Sequence, residues 1–160
     1  MVTFALAVYV LVFAAAAASD LVRYEIPNAL SVALVAAFLP FASALALPVA
    51  AEHLLAALSV LVLTTLCFAF GLMGGGDAKL LAAAALWMGW HNLLPFILLT
   101  TLAGACLGMA LLALRRVLPS ASESGRWYSR LLRPREGVPY GVAISGAALA
   151  LLPRVTAALH

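Results

Sequence analysis

Two aspartates and a run of glycines carry the chemistry that this sequence offers. In Gly71-Leu72-Met73-Gly74-Gly75-Gly76-Asp77-Ala78-Lys79, flexible backbone, a carboxylate and an ammonium interrupt a chain that otherwise reads as lipid-soluble helix. Hydrocarbon accepts none of these groups cheaply, and such a cost usually marks function. Gly74, Gly75 and Gly76 have no Cβ, so they allow strained turns and the close approach of another backbone beside Asp77. A second acid, Asp20, stands where a helix is expected to end at the same membrane face. Two carboxyls around one water in a poorly solvated place cannot both ionise easily, so they share one proton. The ionised member can then take a proton from the water as it attacks an amide carbonyl, while the protonated member donates to the carbonyl oxygen. That is aspartic-type peptide hydrolysis, which needs neither metal nor covalent intermediate. A plainer reading has the glycines as helix breakers, Asp77 and Lys79 as solvated flanking charges, and Asp20 ending its helix and pairing with Arg23.

The elements that must position these groups are membrane helices. The 160 residues are 66% hydrophobic and 9% charged, far from the polar surface of a soluble domain. The fold class expected is an all-α integral membrane protein, a single domain over 1–160. A net charge of +3 is read as topology signal and headgroup contact rather than as a site for nucleic acid. Cys67 and Cys106 both lie in apolar runs and suit packing better than a disulfide. Three scattered histidines without ligand spacing give zinc chemistry no footing.

In chain order, the uncharged run from Met1 gives a first span over 2–18. A removed signal peptide is the alternative, but the basic start expected of one is missing. The segment Ser19 to Asn28, with Asp20, Arg23 and Glu25, reads as a loop at a membrane face that Pro27 separates from the next helix. Spans follow over 29–48, with Pro40 and Pro48 as kinks or ends, and over 54–73. The 35 uncharged residues from Leu80 to Leu114 exceed one span and fall slightly short of two. A turn at Trp90-His91-Asn92, with Pro95 opening the next helix, divides them into 78–90 and 94–114. A basic loop over 115–136 contains Arg115, Arg116, Arg126, Arg130, Arg133 and Arg135, with Trp127 and Tyr128 suited to the membrane surface. A last span covers 137–153.

Six crossings place Asp20, Arg23, Asp77, Lys79 and the arginine loop on one face. Eight of the nine Lys and Arg residues then lie there, and Arg154 lies opposite. The positive-inside rule makes that face cytoplasmic and both termini external. Gly104 and Gly108, spaced as GxxxG, are candidates for packing helices within the chain.

Asp20 with Arg23 and Ile26-Pro27-Asn28, followed by Gly74-Gly75-Gly76-Asp77-Ala78-Lys79-Leu80-Leu81-Ala82-Ala83, resembles the type IV prepilin peptidases, membrane aspartyl proteases with a GxGD signature. The resemblance implies that Asp20 and Asp77 are the catalytic pair, with Gly74, Gly75, Gly76, Lys79, Arg23, Pro27 and Asn28 binding substrate or shaping the loops. It implies cleavage of a short basic leader from prepilins or pseudopilins after a glycine, at the cytoplasmic face of a bacterial inner membrane and just before the pilin's hydrophobic helix. A glutamate lies a few residues past that bond, and Lys79 or Arg23 is a candidate to read it. Pro27 and Asn28 are expected to shape the loop and cap the second helix. Longer members insert, between the first span and the second aspartate block, a domain with paired cysteines associated with N-methylation. Its absence between these blocks resembles the short Flp/Tad (Cpa) peptidases and puts methyl transfer in doubt. The partners expected are the prepilin substrate and the bilayer; no cofactor, metal or nucleic acid is called for, and a homo-oligomer is not indicated. Two other classes fit isolated acids in Gly-broken helices: a small transporter or channel subunit, with acids near the midplane, and a non-catalytic assembly scaffold.

Overall fold

A computed structural model describes residues 1–117 and 137–157, and the described residues form helices and short connections without strands. The helices are α1 (Val2–Arg23), α2 (Asn28–Ala42), α3 (Leu47–Ala69), α4 (Gly75–Val117), α5 (Tyr140–Ala150) and α6 (Leu152–Ala157). Three of them, α1, α3 and α4, are long and apolar enough to cross a bilayer, and α2 and α5 are shorter apolar helices. The chain is an integral membrane protein. Most of the basic loop expected over 115–136, with Arg126, Arg130, Arg133, Arg135, Trp127 and Tyr128, lies outside the described residues.

Several boundaries differ from the sequence expectation, each for a local reason. The first helix does not stop at 18 but runs through Asp20 to Arg23, because nothing between Ala18 and Arg23 breaks it. It ends where Tyr24 turns left-handed, at φ 57 and ψ 28. Asp20 and Arg23 are therefore helical residues, not loop residues. Helix α2 ends at Ala42 rather than 48, two residues after Pro40, and Pro48 instead opens α3, a position where its missing amide costs nothing. At the other end, α3 stops at Ala69 and closes with a left-handed Gly71 (φ 69). The amides of Gly71 and Leu72 there bond back to Phe68 and Cys67, a Schellman ending. The last helix is likewise shorter than 137–153, and α6 follows it with Pro153 in its first turn.

The turn expected at Trp90-His91-Asn92 lies one residue earlier. Helical geometry in α4 breaks at Gly89 (φ 65, ψ 179), a conformation open essentially to glycine alone. Trp90 to Asn92 are helical, and Pro95 sits inside the second arm rather than at its start. The chain reverses here. Beside Gly89 stands His53 near the start of α3, whereas the far part of the second arm returns to α5: Gly104 meets Tyr140, and Arg115 donates to the Gly137 carbonyl at 3.1 Å. Gly104 and Gly108 thus receive Tyr140 and Val138 of their own chain.

Breaking the helix leaves the Leu86 carbonyl without its usual partner four residues on. His53, 3% exposed, meets it: Nδ1 donates to Leu86 O at 2.7 Å. Around that point the core is aromatic. Trp87 packs against Tyr9, Phe41 and Phe38 at ring-centroid separations of 4.9, 5.1 and 5.6 Å. Its Nε1 donates to Leu34 O at 3.0 Å, and the Tyr9 hydroxyl donates to Ala148 O at 2.6 Å. In lipid, where apolar burial does not drive helices together, close packing and such bonds hold a bundle, each bond contributing about 0.6 to 2 kcal/mol. The run Ala82 to Ala85 on the first arm of α4 is buried, its small side chains letting neighbouring helices close in. That arm is the central post, with its first turn at one end of the bundle and Gly89 at the other.

Candidate active site

Helix α1 turns one face inward along Ala5, Tyr9, Val12, Phe13, Ala16 and Asp20. The spacing is that of a single helical stripe, so Asp20 is carried inward by the same rotation that buries Phe13 and Ala16. It is 5% exposed. Its surroundings are built by three segments. Behind it, the first turn of α5 presents the amides of Gly141 and Val142 to the carboxyl. A Cβ on Gly141 would lie 2.8 Å from Asp20 Oδ2 and 2.7 Å from Ile26 Cδ1, so any larger residue displaces the Asp20 carboxyl or the tip of Ile26. On its own helix, Ser19 donates to the Glu25 carbonyl at 2.7 Å, which folds residues 24–27 back beside the end of α1.

Asp77 arrives from the opposite direction, in the first turn of α4. It is half-buried. Its carboxyl lies back over Gly74, whose Cβ position is 3.0 Å from Asp77 Oδ2, at the helix end where free amides suit negative charge. Gly75 and Gly76 are helical rather than loop residues. The space beside them is filled from within the chain, by the Phe68 ring and by Ile26, at 3.2 and 3.3 Å from the respective Cβ positions. The backbone that approaches Gly76 closely is that of Ile26, whose N and O both lie 3.6 Å from its Cβ position. Ile26 is a wedge, touching the start of α4 through Gly76 and the start of α5 through Gly141.

Asp20 and Asp77 line one cleft of about 510 Å³, and the charge of Asp20 acts on Asp77. Arg23, Tyr24, Pro27, Asn28 and Gly74 to Gly76 complete most of its wall. Pro27 precedes α2, and Asn28 makes no capping bond there. Asn28 is the first helical residue and Pro27 holds the N-cap position, so the cap expected of Asn28 is absent; its Oδ1 instead accepts from Lys79 Nζ at 3.1 Å. Lys79 is exposed and lies outside the cleft wall, on the apolar side of Asn28. Of the two cations, Arg23 is the one that faces the cleft.

The sequence reading missed Gly141, Ile26 as a wedge, and Tyr24. A left-handed Tyr24 leaves no compositional trace, and Gly141 is one glycine in an uncharged run whose importance comes from a contact with a residue far away in the chain. Asp20, buried, and Asp77, half-buried, share this cleft with Glu25 at one end of the membrane bundle, and two neighbouring carboxyls of unequal exposure can divide acid and base roles.

The model of the type IV leader peptidase family matches residues 7–109, a stretch that includes both aspartates. The prepilin leader peptidase/N-methyltransferase of Aeromonas hydrophila is 48% identical over 61 residues, covering 34% of this chain and 21% of that protein. The protein of the same description from Aeromonas salmonicida (strain A449) matches to the same extent. The matched stretch thus spans about a fifth of the length of these relatives. No solved structure matches.

Proposed function

The chain belongs to the type IV leader peptidase family, and we propose that it is an aspartic endopeptidase that removes the leader of type IV prepilins at the membrane surface. The observation that carries this reading is the meeting of Asp20 and Asp77 on one cleft, from helices of opposite direction. With one proton between them, the ionised carboxyl takes a proton from a water as its oxygen attacks the scissile carbonyl. The other carboxyl gives its proton to the carbonyl oxygen, and the resulting tetrahedral centre collapses with proton transfer to the leaving amine. Atoms balance with one water consumed, and both carboxyls end as they began.

The charge distribution supports placing the cleft in the cytoplasm. Arg23, Lys79, Arg115 and Arg116 fall at the cleft end of the bundle and Arg154 at the other, as the positive-inside rule requires for six crossings of a bacterial inner membrane. Between Asp20 and Asp77 the chain holds only α2, α3 and their turns. This supports a Flp-type peptidase without an intervening methylation domain. The reading is tested by co-expressing a Flp-type prepilin in membranes and measuring the mass of its new N-terminus. Cleavage after a glycine by the wild type, lost in Asp20→Asn and Asp77→Asn at normal protein levels, is the expected result. Wild-type cutting by either variant would sink it.

A further inference from the structure

Helices α2 and α3 are joined by a short turn yet make no sustained contact along their lengths. They meet at the far end, where the His53 ring lies 5.4 Å from Phe38 and 6.3 Å from Phe41, and they part toward the cleft. The gap is a groove of about 720 Å³. Val35 and Leu39 form one wall, Leu58 and Leu61 the other, and Ala82 and Ala83 of α4 the floor. All four wall residues are exposed, so the groove opens sideways to the bilayer.

We propose that this groove seats the apolar segment of the substrate that adjoins the scissile bond, an assignment that rests on the peptidase reading above. The first reason is continuity. Asn28 lines both the catalytic cleft and the groove, and its bond from Lys79 marks the junction. The two cavities thus adjoin at Asn28, and a chain that continues from the cleft into the groove passes the Lys79–Asn28 bond. The second is backbone chemistry: a segment leaving the cleft for hydrocarbon must satisfy its own amides and carbonyls, and so must be helical. The groove is shaped for that. From Asn28 to Leu39 it follows α2 for ~16 Å, about one leaflet of hydrocarbon. Its alanine floor allows the close axial approach that membrane helices use when they pack. An acyl chain fits the walls too, but it has no use for a polar cleft adjoining the groove at Asn28.

Photocrosslinking decides between these occupants. Benzoylphenylalanine is placed at Val35 or Leu58, and at exposed Leu98 on the second arm of α4 as a control. Each is carried in an Asp77→Asn chain co-expressed in membranes with a Flp-type prepilin. Adducts containing the prepilin's apolar segment are expected at Val35 and Leu58 and not at Leu98. Lipid adducts alone at Val35 and Leu58 would overturn the assignment. In an otherwise wild-type chain, Val35→Trp and Leu58→Trp should slow prepilin cutting at least tenfold at normal membrane levels, with Leu98→Trp unchanged. Wild-type rates in both groove variants would also overturn it. Should the wild type leave the prepilin uncut, the peptidase reading itself fails, an outcome separate from either result at the groove.

Discussion

Asp20 Oδ2 lies 2.8 Å from the position that a Cβ on Gly141 would take, so the first turn of α5 rests directly on the carboxyl that ends the buried stripe of α1. A methyl group there pushes the carboxyl aside. The same Cβ would meet Ile26 at 2.7 Å, which blocks the other way out. Gly141→Ala is therefore expected to displace Asp20 and to cut leader removal by at least tenfold. Overpacking of this kind costs about 1–3 kcal/mol, and the mutant protein should still accumulate in the membrane. Gly146→Ala, on the same helix with open space beside it, serves as the comparison and should cleave at the wild-type rate.

The dyad predicts a bell-shaped dependence of kcat/KM on pH. Under the proposed mechanism cleavage needs one proton on the pair, so the rate falls as pH drops and both carboxyls are protonated, and falls again as pH rises and both ionise. Asp20→Asn and Asp77→Asn should each lower the rate by at least ~10³, since general acid and base roles contribute about 10²–10⁴ apiece. A purified-membrane assay across pH with a leader-bearing prepilin reads both. A profile that rises monotonically would count against a shared proton.

Arg23 lines the cleft, whereas Lys79 is held on Asn28 and faces the groove. If a cation reads an acidic side chain just past the scissile bond, it is Arg23. Neutralising that acid in the prepilin should cost the wild type about tenfold in kcat/KM, in keeping with ~1.5–3 kcal/mol for a hydrogen bond to a charged group. The discrimination should vanish in Arg23→Gln and persist in Lys79→Gln. Competition between the two prepilins in one reaction measures it directly.

At the far end, Gly89 holds φ 65 and ψ 179 with His53 Nε2 2.9 Å from its Cβ position. Gly89→Ala meets both the backbone penalty of about 1–3 kcal/mol and a collision with the ring. His53→Phe removes the donor to the Leu86 carbonyl, leaving a buried acceptor unpaired at about 1–3 kcal/mol. Both variants should lower the thermal unfolding temperature in detergent by several degrees. Neither replaces a group of the cleft, so activity per folded molecule should stay close to wild type.

Much of the frame was legible because membranes make sequence blunt: uncharged runs announced the helices, and the glycine block and Pro27 announced breaks. Asp20 was legible as a partner of Asp77 from the face on which it falls and from the residues that follow it. Its burial was open to reading as well, since it continues the Tyr9, Phe13, Ala16 stripe, but in an all-apolar helix every face looks alike and the stripe is visible only once Asp20 marks it. The break at Gly89 was placed a residue late because Trp90, His91 and Asn92 carry the polarity of a turn, while the backbone requirement fell on the glycine before them. Proline misled at Pro95, which is accommodated within a helix, whereas Pro48 does mark a boundary, the start of α3 rather than the end of α2. Gly141 and Ile26 lay beyond sequence reading, because their roles come from three segments meeting at one carboxyl.

The two acids sit at the last turn of α1 and the first turn of α4, and neither half of the chain owns a working pair. While the polypeptide is being threaded into the bilayer, the portion through α3 carries Asp20 without Asp77, and the backing from α5 comes later still. Under the proposed function, a half-inserted or misassembled molecule is chemically inert toward the peptides around it. Completion of the fold is itself the activation step, so this protease is timed by its own biogenesis.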